Sequence, residues 1–141
     1  MSRGDSVAMP VRILIADDDL AIRCLIRRIL EYQPEWQVCG EAENGRDAIT
    51  KTQELKPDLI VMDLAMPQMN GLEAAREIYR DSPKLPMLLL TVQEVSTELV
   101  NEAQKVGFQG AVSKSSVSDV ITGIETLLDE RNYFKASDVP A

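Results

Sequence analysis

Apolar positions in this chain fall into two kinds of run, and their alternation predicts the architecture. Nearly uninterrupted apolar blocks occupy 11–16, where only Arg12 is polar, 59–62, 86–90 and 110–113. Such blocks suit strands covered on both faces, as in a parallel sheet between layers of helices. A further short strand is predicted over 36–41. Between the blocks, apolar residues recur at helical spacing. Ile22, Leu25, Ile26, Ile29 and Leu30 form a stripe on a helix predicted over 20–32, with Arg23, Arg27 and Arg28 on its wet face and Pro34 as its stop. Asn44 suits the cap of a helix over 45–55, ended by Lys56-Pro57-Asp58. Helices over 72–80 and 94–106 follow, the second acidic early, with Lys105 late and Gly107 as its stop. Ser116 suits the cap of the last helix, over 117–130. Residues 1–10 read as a flexible tail and 131–141 as a frayed end or the start of a linker, which leaves one domain over 11–130. Five strand–helix units with right-handed crossovers predict an α/β fold: a flavodoxin-like (βα)5 three-layer sandwich with parallel strand order 2-1-3-4-5.

That order concentrates polar residues at one edge. In a parallel sheet the carboxyl ends of all strands lie on the same side, and here they meet Asp17, Asp18 and Asp19, then Asp63, Thr91 and Lys114. The first and third strands are neighbours, with the crevice of the topological switch point between them. Packed carboxylates repel and need protons or cations. A site of oxygen ligands alone suits a hard ion such as Mg2+. Lys114 adds a point charge for a phosphate and Thr91 a hydroxyl donor, so that metal, lysine and threonine together would hold the equatorial oxygens of a phosphoryl group in transfer. Asp63 is the carboxylate best placed as nucleophile, giving an acyl phosphate.

Plainer roles exist for each residue. Asp17–Asp19 also fit N-cap and first-turn acids for the following helix, the reading we favour for Asp19. Thr91 with Glu94 matches a capping box, and Lys114 fits an ordinary solvated lysine. Met66 and Met69 read as loop packing residues. The placement of all the polar residues at one edge favours a site.

Composition narrows the classes further. The chain has 141 residues, 45% of them hydrophobic and 27% charged, which suits one soluble domain with a proper core. Its net charge of -8 has no concentrated Lys/Arg patch to set against it, so this segment is not expected to bind nucleic acid or anionic membrane directly. No apolar run approaches the roughly 18–20 residues of a membrane span, and the opening residues lack the apolar core of a signal peptide. Histidine is absent, which removes His-based catalysis, the usual zinc sites and a phosphohistidine on this chain. Cys24 and Cys39 lack metal-ligand spacing and read as reduced core residues, in keeping with a cytoplasmic protein.

Four motifs in order, Ile-Leu-Ile-Ala-Asp-Asp, Met-Asp-Leu-Ala-Met-Pro-Gln-Met-Asn-Gly, Leu-Leu-Leu-Thr and Val-Ser-Lys, carry a family pattern. The chain resembles the receiver domain of two-component response regulators from Val11 to Glu130. The resemblance implies Asp63 as phosphoacceptor from a sensor histidine kinase or phosphotransfer protein. It implies Asp17 and Asp18 as Mg2+ site acids, with Asp63 and the backbone carbonyl of Ala65 completing the protein ligands, and Thr91 and Lys114 as phosphoryl contacts. Phosphorylation would then shift an inactive/active equilibrium on the face formed by the fourth helix, fifth strand and fifth helix.

The switch region departs from the family pattern. Ala111 stands where many receivers carry an aromatic, so switching must use backbone or helix shifts. Val92 is bulkier than the small residue often found after the threonine, and would narrow access to Asp63. Ser115 stands where a proline is frequent. The region from Glu94 to Phe134 resembles receivers of the LuxR type, which usually continue into a helix-turn-helix DNA-binding domain; none is present in this sequence. A homodimer through the switch-face helices is a further implication. Two other readings compete with a switch that catalyses only its own phosphorylation and dephosphorylation. One is a degenerate receiver acting as an interaction module whatever the state of Asp63. The other is a Mg2+-dependent aspartyl-phosphate hydrolase, against which stands the lack of any cap insertion to enclose a substrate.

Overall fold

The computed structural model describes residues 9–134. Strands β1 (Val11–Ala16), β2 (Trp36–Ala42), β3 (Leu59–Asp63), β4 (Met87–Thr91) and β5 (Gly110–Ser113) alternate with helices α1 (Leu20–Glu31), α2 (Gly45–Leu55), α3 (Gly71–Asp81), α4 (Thr97–Lys105) and α5 (Val117–Leu128). A sixth strand, β6 (Tyr133–Phe134), follows α5. Neighbouring strands pair in parallel in the order β2-β1-β3-β4-β5-β6, the expected order extended by one.

The alternation of side chains along each strand divides the core into two layers. Ile13, Ile15, Leu59, Val61, Leu88 and Leu90 face α1 and α5, where they meet Ile26, Leu30, Ile124 and Leu127. Leu14, Ile60, Met62 and Leu89 face α2, α3 and α4. All residues of β3 and β4 are buried, which accounts for their continuous apolar sequence. The helices start from side-chain caps at the carboxyl edge of the sheet: Asp19, Asn44, Asn70, Ser96 and Ser116 each accept from a backbone N–H of the first turn. Asn70 and Glu73 complete a reciprocal capping box.

Four features depart from the sequence reading. Tyr133 and Phe134, expected in a frayed end, pair with Gly110 and Ala111. Two glycines make room for them: a Cβ on Gly110 would lie 2.7 Å from the Tyr133 carbonyl oxygen, and one on Gly123 would lie 3.2 Å from the Tyr133 ring. The Tyr133 hydroxyl donates to Asp119 Oδ1 at 3.1 Å. The remainder of the two expected tails, 1–8 and 135–141, lies outside the described residues.

Helix α4 starts at Thr97, three residues later than predicted, because Ser96 takes the cap position. The Thr91–Glu94 capping box therefore does not form, and Thr91 Oγ1 accepts from the Gln93 N–H at 3.1 Å. Val95, which would have been helical, is buried at the loop. The cysteines also differ from expectation, Cys24 being exposed and Cys39 half-buried. The inward stripe of α1 is narrower than the sequence suggests: Ile26 and Leu30 are buried, while Cys24 and Leu25 fall outside it.

Candidate functional site

Register brings the acidic residues level. Ala16 pairs with Met62, so Asp17 and Asp63 come next on adjacent strands at the carboxyl edge. The β4–β5 pairing ends at Thr91 and Ser113, and the Lys114 N–H donates to the Thr91 carbonyl at 2.8 Å. Of the six polar residues expected at the edge, Asp17, Asp18, Asp63, Thr91 and Lys114 thus come to one place, and Asp19 turns away to cap α1. Asp17 is fully buried, Asp63 and Thr91 nearly so, and Asp18 is exposed. One carboxylate oxygen from each of Asp17, Asp18 and Asp63 lies within 4.8 Å of the others. Lys114 Nζ reaches Asp17 Oδ2 at 2.6 Å and Asp63 Oδ1 at 3.1 Å.

The polar atoms of Asp17 are nearly all committed. Its N–H donates to the Ala42 carbonyl at 2.9 Å, its carbonyl accepts from Arg23 Nη1 at 2.6 Å, and its Oδ1 accepts from the Asp19 N–H at 2.9 Å. Oδ2 is the exception: its contact with Lys114 is an ion pair lacking well-directed hydrogen-bond geometry, so the atom is buried without a hydrogen-bond partner. Asp19 serves as the α1 cap, as the plainer reading had it. Met66 is buried and Met69 partly so, both packed against the layer under α2 and α3.

Burial, and then the negative charge of Asp17, push the Asp63 carboxyl up to about 6, against the opposing pull of Lys114. Burial acts to lower the Lys114 ammonium, but its contacts with Asp17 and Asp63 outweigh that and hold it above its ordinary value. Three carboxylates thus face one ammonium, and the buried Asp17 Oδ2 has that ammonium but no hydrogen bond. An excess of negative charge in an all-oxygen donor set fits a hard divalent cation such as Mg2+. Ala65, the fourth expected contributor, lies on the exposed loop two residues past Asp63. That loop is pinned by close packing, since a Cβ on Gly71 would overlap the Asp63 carbonyl.

The switch positions lie on either side of this edge. Val92 is 75% exposed and stands at the rim next to buried Thr91. Ala111 is fully buried, paired with Leu89 on one side and Phe134 on the other. The site as a whole is an open edge. A cleft of about 430 Å³ between α2 and α3, lined by Ile49, Thr52 and Ile78 among others, holds none of the convergent groups.

Sequence reasoning missed Arg23, which it placed on the wet face of α1. Its side chain is only 13% exposed and links Asp17 to Glu41 at the end of β2. The available signal was an arginine on the second turn after an acidic triplet, with a second acid ending the neighbouring strand.

Comparisons with known proteins identify the family. A family model describing the response regulator receiver domain matches residues 13–125. The chain is 36% identical over 129 residues to the response regulator protein VraR of Staphylococcus saprophyticus, covering 91% of this chain and 61% of that protein. It is 36% identical over 110 residues to the transcriptional regulatory protein YdfI of Bacillus subtilis, covering 78% and 51%. Among solved structures, a LuxR family two-component response regulator from Aurantimonas sp. SI85-9A1 superposes with a TM-score of 0.84 at 31% identity, covering 88% of this chain and 89% of that one. The chain spans less than two thirds of the length of these curated relatives.

Proposed function

This chain belongs to the response regulator receiver domain family, and on that premise we propose that Asp63 accepts a phosphoryl group from the phosphohistidine of a sensor histidine kinase or phosphotransfer protein. The observation that carries the proposal is the meeting of three carboxylates and one ammonium, that of Lys114, at the buried Asp17 carboxylate. In the transfer a carboxylate oxygen of Asp63 forms a bond to phosphorus as the phosphorus–nitrogen bond breaks. The bonding pair leaves on the imidazole, and an acyl phosphate remains. With its carboxyl near 6, Asp63 is ionised and nucleophilic at neutral pH. Lys114, already 3.1 Å from Asp63, pairs with the incoming phosphoryl oxygens, and the Thr91 hydroxyl donates to them. Asp17, Asp18, Asp63 and the Ala65 carbonyl would hold Mg2+. The ion supplies positive charge that offsets the charge on the phosphoryl oxygens.

The domain acts on itself: an open edge suits a partner protein's phosphohistidine better than an enclosed small substrate. The acyl phosphate would change the face formed by α4, β5 and α5, by backbone and helix shifts because Ala111 offers no aromatic rotamer. Likeness to a transcriptional regulatory protein and to a LuxR family regulator supports an output in transcription, through a DNA-binding domain beyond this sequence. Such a protein works in the cytoplasm. Among the described residues no helix is long and apolar enough to cross a membrane.

Intact mass after incubation with Mg2+ and acetyl phosphate tests the assignment. One added phosphoryl group, dependent on Mg2+ and lost in Asp63→Ala, is the expected result. No adduct, with beryllofluoride also failing to bind, would favour an interaction module that works without phosphorylation. Light scattering in both states tests the dimer, with a monomer mass in each removing it.

A further inference from the structure

We propose that Arg23 is a positioning residue for the cation site, acting through the backbone of Asp17. The inference rests on the reading of the acidic edge as a Mg2+ and phosphoryl site. Arg23 uses two edges of its guanidinium at once: Nη1 donates to the Asp17 carbonyl at 2.6 Å, and Nε donates to Glu41 Oε1 at 2.9 Å. Glu41 is itself held from a second side, its Oε2 accepting from Arg27 Nε at 2.7 Å. The chain of contacts therefore runs from α1 through the end of β2 to the loop after β1.

Its effect falls on one carboxylate. The Asp17 N–H, carbonyl and Oδ1 each have a partner, and Arg23 is the side chain that fixes the carbonyl. With three polar atoms fixed, the peptide plane and side-chain direction of Asp17 are set, which holds its carboxylate beside those of Asp18 and Asp63 with Oδ2 against the Lys114 ammonium. A cation entering the edge meets a carboxylate already in place, without first ordering the loop. Glu41 has a second role: its charge offsets the guanidinium, so the clamp does not repel the cation it helps to hold. In keeping with this, hydrogen bonds from Arg27 and Arg23 outweigh burial and keep the Glu41 carboxyl below its ordinary range.

An ammonium cannot reproduce the clamp, because a lysine presents one nitrogen where arginine presents a rigid fork. Groups that orient metal ligands from behind typically contribute 10–100-fold in affinity. The test is Mg2+ affinity by calorimetry on the 141-residue chain, comparing wild type with Arg23→Lys, Arg23→Ala, Glu41→Gln and Arg27→Ala, each with its thermal midpoint. Arg27→Ala is the control, since Arg27 binds the same Glu41 and packs at the same junction but does not touch Asp17. Arg23→Lys and Arg23→Ala are expected to weaken Mg2+ binding about 10-fold or more, and Glu41→Gln to a smaller extent. Arg27→Ala is expected to lower the thermal midpoint while leaving Mg2+ affinity within about twofold.

Phosphorylation by acetyl phosphate should show the matching split, slow in the Arg23 variants at low Mg2+ and restored at saturating Mg2+. Arg23 variants that bind Mg2+ like wild type, or an Arg27→Ala loss as large as theirs, would overturn the proposal while leaving the site assignment standing. A wild-type protein that binds no Mg2+ at millimolar concentration would overturn both. Should Arg23→Ala fail to fold, Arg23→Lys and Glu41→Gln carry the same comparison.

Discussion

At the edge above β1 and β3, three carboxylates crowd one ammonium, whereas beside β5 two glycines make room for a tyrosine ring. The first region is assembled against its own electrostatics. Its members are held together by backbone pairing, by Lys114 and by the hydrogen bonds around Asp17, while burial and mutual repulsion oppose their charge. The second region is near a steric optimum: Gly110, Gly123, Leu88, Leu127 and Tyr133 meet at contact distance. The comparison teaches that one fold stores unfavourable energy at the edge where a ligand can release it, and keeps close packing on the flank. Deleting a side-chain feature should therefore have opposite signs in the two places.

The largest effect belongs to the flank. Leu127 is buried beneath the β5–β6 junction, and Leu127→Ala is expected to cost about 2–5 kcal/mol in urea unfolding, with phosphorylation of the folded fraction intact. A loss below about 1 kcal/mol would mean the site collapses easily and the flank is not closely packed.

Asp63→Asn should go the other way. A carboxyl raised from 3.8 to about 6 binds its proton more tightly in the folded state, so stability falls as pH rises through that window. The shift corresponds to about 3 kcal/mol once both pKa values are passed. In chelator at pH 7.5, Asp63→Asn should unfold at higher urea than wild type, and the gap should close below pH 4. An asparagine variant less stable than wild type at pH 7.5 would show that the Lys114 contact outweighs the repulsion.

The smallest effect sharpens the flank. Tyr133→Phe removes the hydroxyl that donates to Asp119 and is expected to cost about 1 kcal/mol, with Mg2+ affinity unchanged. A change in Mg2+ affinity there would mean that flank and edge are coupled.

The edge was legible in the sequence because its residues sit directly after apolar blocks, where a parallel sheet leaves little freedom in their placement. Asp17, Asp63, Thr91 and Lys114 follow from the strand ends alone. The β6 strand was illegible because two residues have no periodicity, and its existence depends on space left by Gly110 and Gly123 far back in the chain. The start of α4 was misplaced because Thr91-x-x-Glu94 carries a cap pattern that the chain does not use; Ser96 makes the cap, and Val95 is buried ahead of it. Arg23 looked solvated because helical periodicity reports which face a residue occupies, not which loop folds over it. The clamp depends on the end of β2 lying beside the loop after β1, a tertiary fact.

The sixth strand also bears on self-association. The outermost strand of a sheet presents unpaired N–H and C=O groups that can recruit a strand from another molecule, with aggregation as the hazard. Without β6 that rim would be β5, with apolar Ala111 and Val112 at its centre. With it, the pairing groups of Gly110 and Ala111 face Tyr133 and Phe134. Among the described residues, Tyr133–Phe134 thus occupies the half of the β5 rim at Gly110 and Ala111 that a foreign strand would otherwise pair with, and Val112 and Ser113 are the pairing positions left there.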